Sequence, residues 1–294
     1  MGNSDLFDYE KFKDSSNKSS LKIDKYTIDF YDFGPKEISC PIICLPPTAC
    51  DASIYYKVQL LLSREGFRII SINYPETYNA NNFCEVFLKM LGELHVTGVH
   101  LVGSSLGGFL AQKFCEISEK SNAYVKSLVL CNTFTDTYSF ESRFSSRLQV
   151  PVLILFFTYV ISLLRMTLEY PPASTDADED VRTSVELAKQ QLNKMSQSEL
   201  ASRLTMACTT DHVTVEELQD VDVTIVEVGD LDTTYKKLYE GVHRAYPEAK
   251  VASIDSGGFF PFLSRYDEFA AYMKMHFEPY MNTPFFPALL EDGD

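Results

Sequence analysis

Gly103-Ser104-Ser105-Leu106-Gly107 lies between an apolar run, Val99-His100-Leu101-Val102, and a helix-patterned segment opening Gly108-Phe109-Leu110-Ala111-Gln112. It fits G-x-S-x-G, the nucleophile elbow, in which a strand turns sharply into a helix and lifts the serine hydroxyl above the sheet. So tight a turn demands glycine at the flanking positions, because a Cβ there would clash. By composition alone the pentapeptide turns up in roughly one chain in ten of this length. Its weight therefore comes from the strand before it and the helix after it.

Working outward, short apolar runs alternate with helical patterns. Pro41 to Leu45, Phe67 to Ile72, Val99 to Val102, Val125 to Leu130, Val221 to Val228 and Val251 to Ile254 read as strands. Ile54 to Leu62, Phe83 to Leu94, the segment from Gly108 through Ile117, Tyr235 to Tyr246 and Asp267 to His276 carry helical spacing. Buried strands alternating with helices predict a mostly parallel central sheet covered on both faces. With the elbow, this predicts an α/β-hydrolase fold. The alternation breaks between 135 and 220, which reads as a helical cap insertion. It holds an apolar run (Val152 to Leu164), an acidic stretch (Asp176, Asp178, Glu179, Asp180) and an amphipathic stretch, Val181 to Leu204. The predicted organisation is a loose segment 1–20, a core of 21–134 and 221–280, the cap 135–220 and a tail 281–294.

The chain has 294 residues, 45% apolar and 23% charged, a globular composition. Its 26 basic and 41 acidic residues leave a net charge of −15. That excludes the electrostatic footprint of a nucleic-acid binder and disfavours anionic lipid. Seven cysteines, an odd number without a C-x-x-C pair, read as reduced thiols of an intracellular protein. Met1-Gly2-Asn3-Ser4-Asp5-Leu6 carries no apolar signal region, and Leu6 stands where myristoylation wants Ser or Thr. Val152 to Leu164 is 13 residues long, short of the ~20 that span a bilayer. The acidic stretch reads as a helix N-terminus, where carboxylates suit the dipole. It has no His or Cys and no EF-hand spacing, so no metal or other cofactor is expected.

A serine nucleophile needs a base, and the base needs an orienting acid, in the chain order Ser, acid, His. Asp232, in Val228-Gly229-Asp230-Leu231-Asp232, has the spacing of the acid turn; equally, it reads as the cap of the helix that follows. The loop after the last strand reads Ser256-Gly257-Gly258-Phe259-Phe260-Pro261, with Phe259 in the slot of the histidine. A phenyl ring accepts no proton. Of the five histidines, His95 and His100 precede the elbow, His212 precedes Asp232, and His243 and His276 fall within helical patterns. On the oxyanion side, the N–H groups of Leu106 and Thr48 are the candidate donors, although Pro46-Pro47 stands where many hydrolases carry His-Gly.

The run Gly103 to Phe114 resembles the maspardins. So do Leu45-Pro46-Pro47, Leu130-Cys131-Asn132, Ser198-Glu199-Leu200-Ala201-Ser202-Arg203-Leu204-Thr205 and Gly257-Gly258-Phe259-Phe260-Pro261. The likeness runs from about residue 21 to about 280 and is weaker over Val152 to Leu164. It implies an α/β-hydrolase fold that has lost catalysis and acts in protein binding, in cytosol and on endosomal or Golgi-related membranes. The implied partners are the cytoplasmic tail of a T-cell co-receptor and an aldehyde dehydrogenase. Asp232 stands where the resemblance implies no acid, so two triad-like residues, Ser105 and Asp232, remain. The expected function is a non-catalytic adaptor or negative regulator in trafficking or signalling. The alternatives are a weak esterase-like serine hydrolase with an atypical base, and a binder of a lipid or acyl ligand beneath the cap.

Overall fold

The protein is described by a computed structural model covering residues 8–15, 18–119, 124–138, 177–218, 220–231 and 233–289. Asp176, Asp232 and the run Val152 to Leu164 fall outside these residues.

Eight strands form one sheet in the order β1-β2-β4-β3-β5-β6-β7-β8. They are β1 (Ser19–Ile23), β2 (Tyr26–Phe33), β3 (Ile42–Leu45), β4 (Ile69–Ile72), β5 (Val99–Ser104), β6 (Val125–Cys131), β7 (Asp222–Val228) and β8 (Lys250–Ile254). From β4 to β8 every pairing is parallel, with Leu45 opposite Gly103 and Ser104 opposite Cys131. The β1–β2 hairpin joins β4 antiparallel. This is the α/β-hydrolase architecture that the alternation predicts. The hairpin itself goes unpredicted, because β1 is a polar edge strand whose exposed face shows no apolar run.

Both faces of the sheet are buried, which explains the near-continuous apolar strands. Ile43, Leu45, Leu101, Leu128, Leu130 and Ile225 face one layer. It holds helices α3 (Ala80–Glu93) and α4 (Leu106–Glu119). The alternate residues Ile42, Cys44, Val102, Val129, Cys131 and Val226 face the other layer. That layer contains α2 (Tyr56–Arg64), and the later helices α8 (Pro261–Ser264) and α9 (Tyr266–Phe277). Phe109 in the first layer, and Phe262 and Phe277 in the second, are fully buried, each contributing on the order of 2–3 kcal/mol of transfer free energy. All seven cysteines are buried thiols.

The amphipathic stretch of the insertion divides into α5 (Glu179–Lys194) and α6 (Gln197–Cys208). Ser196 starts the second with a capping box to Glu199. Asp178 caps α5, accepting from Val181 N, with Glu179 and Asp180 in the first turn, so these acids serve a helix N-terminus. The last helix before β8 is α7 (Thr233–Ala245).

Both ends of the described chain lie against the body. Residues 9–15, expected to be loose, form α1 (Tyr9–Ser15), docked through Phe12. At the other end Ala288 bridges Phe67, and Pro287 O accepts from Arg68 N at 2.9 Å. Among the described residues no helix is long and apolar enough to cross a membrane.

Candidate functional site

Ser105 sits between β5 and α4 with φ of 52°, the left-handed conformation of a strained elbow, and is half-buried. Three glycines make the turn possible. A Cβ at Gly103 would meet the Gly107 backbone at 2.5 Å, one at Gly107 would meet Leu45 O at 2.0 Å, and one at Gly108 would meet Thr133 Oγ1 at 2.5 Å. Ser105 N donates to Cys131 O (3.3 Å) and Asn132 O (3.1 Å), and Thr133 Oγ1 donates to Ser105 O at 2.6 Å. The elbow is thereby locked to the end of β6.

The loop Pro46 to Cys50 leaves β3 where Leu45 O approaches Gly107. Arg203 of α6 holds it. The Arg203 guanidinium is buried, donates to the carbonyls of Thr48 (3.3 Å) and Cys50, and lies 4.9 Å from the Tyr74 ring centroid. Burial pulls its pKa down from the usual arginine range. Thr48 is itself buried, and Leu106, the first residue of α4, has no exposed surface. The first N–H groups of a helix lack intrahelical acceptors, and Leu106 N is one of them.

On the acid side, Asp232 lies outside the described residues. The structure brings forward its neighbour Asp230, which sequence reasoning passed over. Asp230 Oδ2 accepts from Gly257 N (3.1 Å), and Oδ1 from Gly258 N (3.0 Å). This carboxylate clamps the loop that carries Phe259. Two acids in five residues after β7 were the visible signal. Spacing favoured the second, while the backbone donors that engage the first exist only in the fold. Gly258 has φ of 63°. Ser264 Oγ donates to Gly257 O at 2.7 Å. Asn132 Nδ2 reaches the carbonyls of Gly258 (3.5 Å) and Phe259 (3.4 Å), tying the elbow side to the same loop. The Phe259 ring is half-buried against the α2/α9 layer.

Three of the five histidines are engaged with other groups. His100 stands five residues before Ser105 on β5, about 16 Å away at ~3.3 Å per residue. Its Nδ1 pairs with Ser127 Oγ and its Nε2 with Phe285 O, both at 2.6 Å. Burial drives its pKa down to about 4. His276 pairs through Nδ1 with Thr224 Oγ1 at 2.7 Å, near the start of β7 and so toward the same edge of the sheet. Burial, then the neighbouring His100, takes it to about 3. His243 Nε2 lies 2.5 Å from Glu227 Oε1. His95 and His212 are exposed. Among the described residues no group of His, Cys, Asp and Glu has the arrangement of a metal site.

Residues 42–272 match the alpha/beta hydrolase family. Maspardin of Danio rerio is 37% identical over 253 residues, 86% of this chain and 79% of that protein. Human maspardin is 35% identical over 255 residues, covering 87% and 80%. The chain belongs to the maspardin family. Maspardin of Mus musculus extends the match to 276 residues at 33% identity, 91% of this chain and 87% of that one. Among solved structures, an enol-lactonase of Burkholderia xenovorans superposes with a TM-score of 0.70 at 13% identity, covering 88% of this chain and 99% of that one. A carboxylesterase of the thaumarchaeon Nitrososphaera gives 0.67 at 17%, covering 88% and 98%. At such identities these two speak for the maspardin fold and leave its chemistry to the residues above.

Proposed function

We propose that this maspardin-family protein is a non-catalytic α/β-hydrolase that works by binding a protein partner, as an adaptor or negative regulator in trafficking or signalling. The observation that carries the reading is Phe259 in the slot of the base, while His100, His276 and His243 are bound to other groups. Without a proton acceptor the Ser105 hydroxyl stays a hydroxyl. A donor pair at Leu106 and Thr48 would then leave only the residual acceleration of an oxyanion hole. The partner classes expected from the resemblance, a receptor's cytoplasmic tail and an aldehyde dehydrogenase, are the first to test by binding of purified components. The proposed location is the cytosol, with peripheral contact to endosomal or Golgi-related membranes.

The intact elbow supports a second reading, a weak serine hydrolase. Incubation with a fluorophosphonate probe and short acyl p-nitrophenyl esters separates the two. The adaptor reading expects no stoichiometric label and the same background turnover in wild type and Ser105→Ala. Stoichiometric labelling of Ser105, with turnover abolished by that substitution, overturns it.

A further inference from the structure

Helix α1 has seven residues, far below the length at which an isolated helix persists in water. Aromatic packing holds it: the Phe12 ring lies 5.2, 5.8 and 5.4 Å from those of Tyr31, Phe33 and Tyr56. Tyr9 packs edge-on against Tyr56 at 5.4 Å. The Tyr9 hydroxyl then reaches a junction of three segments. It lies 2.8 Å from Ser53 Oγ, in the turn that follows the Pro46 to Cys50 loop. Gln191 of α5 donates through Nε2 to Tyr9 Oη (3.1 Å) and to Ser53 Oγ (3.0 Å), and accepts through Oε1 from Asp51 N (3.0 Å).

The proton directions follow from the acceptors. Asp51 Oδ1 accepts from Ser53 N at 2.8 Å and also from the Ser53 hydroxyl. A carboxylate only accepts, so the Ser53 proton points at Asp51 and the Ser53 oxygen receives the Tyr9 proton. That phenolic proton adds a polar link between α1 and the body beside the Phe12 packing. Acids flank the tyrosine in Asp5-Leu6-Phe7-Asp8-Tyr9-Glu10, a charge pattern of the kind by which kinases select substrates.

We propose that Tyr9 is a phosphorylation site and that its modification releases helix α1 from the body. Tyr9 Oη attacks the γ-phosphorus of ATP held by a tyrosine kinase. The Oη–P bond forms, the bond to the β–γ bridging oxygen breaks, ADP leaves, and the phenolic proton passes to a carboxylate of the kinase. The product has lost the hydrogen that Ser53 accepted. It also carries a charge of about −2 beside the Asp51 carboxylate, an arrangement that repels. Lys13 Nζ lies over the Tyr9 ring, 5.6 Å from its centroid. It sits on α1 itself, so it follows the phosphate in either state and does not favour docking. A short helix that undocks frays, which presents Tyr9 to a kinase as extended chain.

The test compares full-length protein carrying phosphotyrosine installed at position 9 during synthesis with unmodified protein, by amide hydrogen exchange. Residues 9–15 should exchange at least about tenfold faster when phosphorylated, with faster exchange also at 51–55 and around Gln191. Tyr9→Phe, which keeps the ring and lacks the hydroxyl, should fall between the two. In parallel, unmodified protein is treated with a broad-specificity tyrosine kinase and ATP, with Tyr138, 67% exposed, as internal comparator. Equal exchange in phosphorylated and unmodified protein overturns the proposal, as does label at Tyr138 with none at Tyr9.

Discussion

Lowering the pH from 7.5 to 5 should destabilise this protein through His100 and His276. Both imidazoles are buried and neutral, with pKa values pushed down to about 4 and about 3. An unfolded histidine titrates near 6.5. The unfolded chain therefore binds protons that the native chain refuses. The stability from neutral burial is fully present above about pH 6.5 and drains away as pH falls toward the native values. At pH 5 each group has lost about 2 kcal/mol, so the pair accounts for about 4 kcal/mol, with a slope near 2.7 kcal/mol per pH unit. The carboxylates held below their usual range, Asp29, Glu116 and Asp178, act mainly at more acidic pH. Urea unfolding at pH 7.5, 6.5, 5.5 and 5.0 reads the effect directly. The double substitution His100→Gln and His276→Gln should flatten the profile over this range. A wild-type change below about 1 kcal/mol, or an equal slope in the double variant, refutes the reasoning.

Gly107→Ala should cost more than about 3 kcal/mol in chemical denaturation or abolish folding, because its Cβ would stand 2.0 Å from Leu45 O. Asp230→Asn removes a charged acceptor from Gly257 and Gly258 N–H. At this exposed site the loss should be about 1 kcal/mol, with faster amide exchange confined to residues 257–259. Phe259→His should restore little or no esterase turnover, since Pro46-Pro47, with φ fixed at about −65° at each proline, stands where many hydrolases carry His-Gly. Substantial hydrolysis by that single variant would show that the remaining site is preformed.

The parallel strands and the elbow were legible because their determinants are local. A strand buried on both faces must be apolar throughout, as Ile42 to Leu45 is, and a turn that excludes a Cβ must be glycine. Phe259 was legible for the same reason: a side chain that accepts no proton cannot be a base in any fold. Other features were out of reach. β1 is polar and draws its pairing from β2, and α1 owes its place to rings at positions 31, 33 and 56. The hold of Asp230 on the 257–258 backbone was invisible because those N–H groups arrive from a different strand end.

The sequence by itself determined the sheet class, the strained serine turn and the phenyl ring at position 259, because each follows from the size or chemistry of residues at short range. Tertiary structure alone decided where the five imidazoles sit, which carboxylate holds the Phe259 loop and how Arg203 pins Thr48. Those outcomes depend on distances between segments up to 185 residues apart, and only packing of the whole chain sets them.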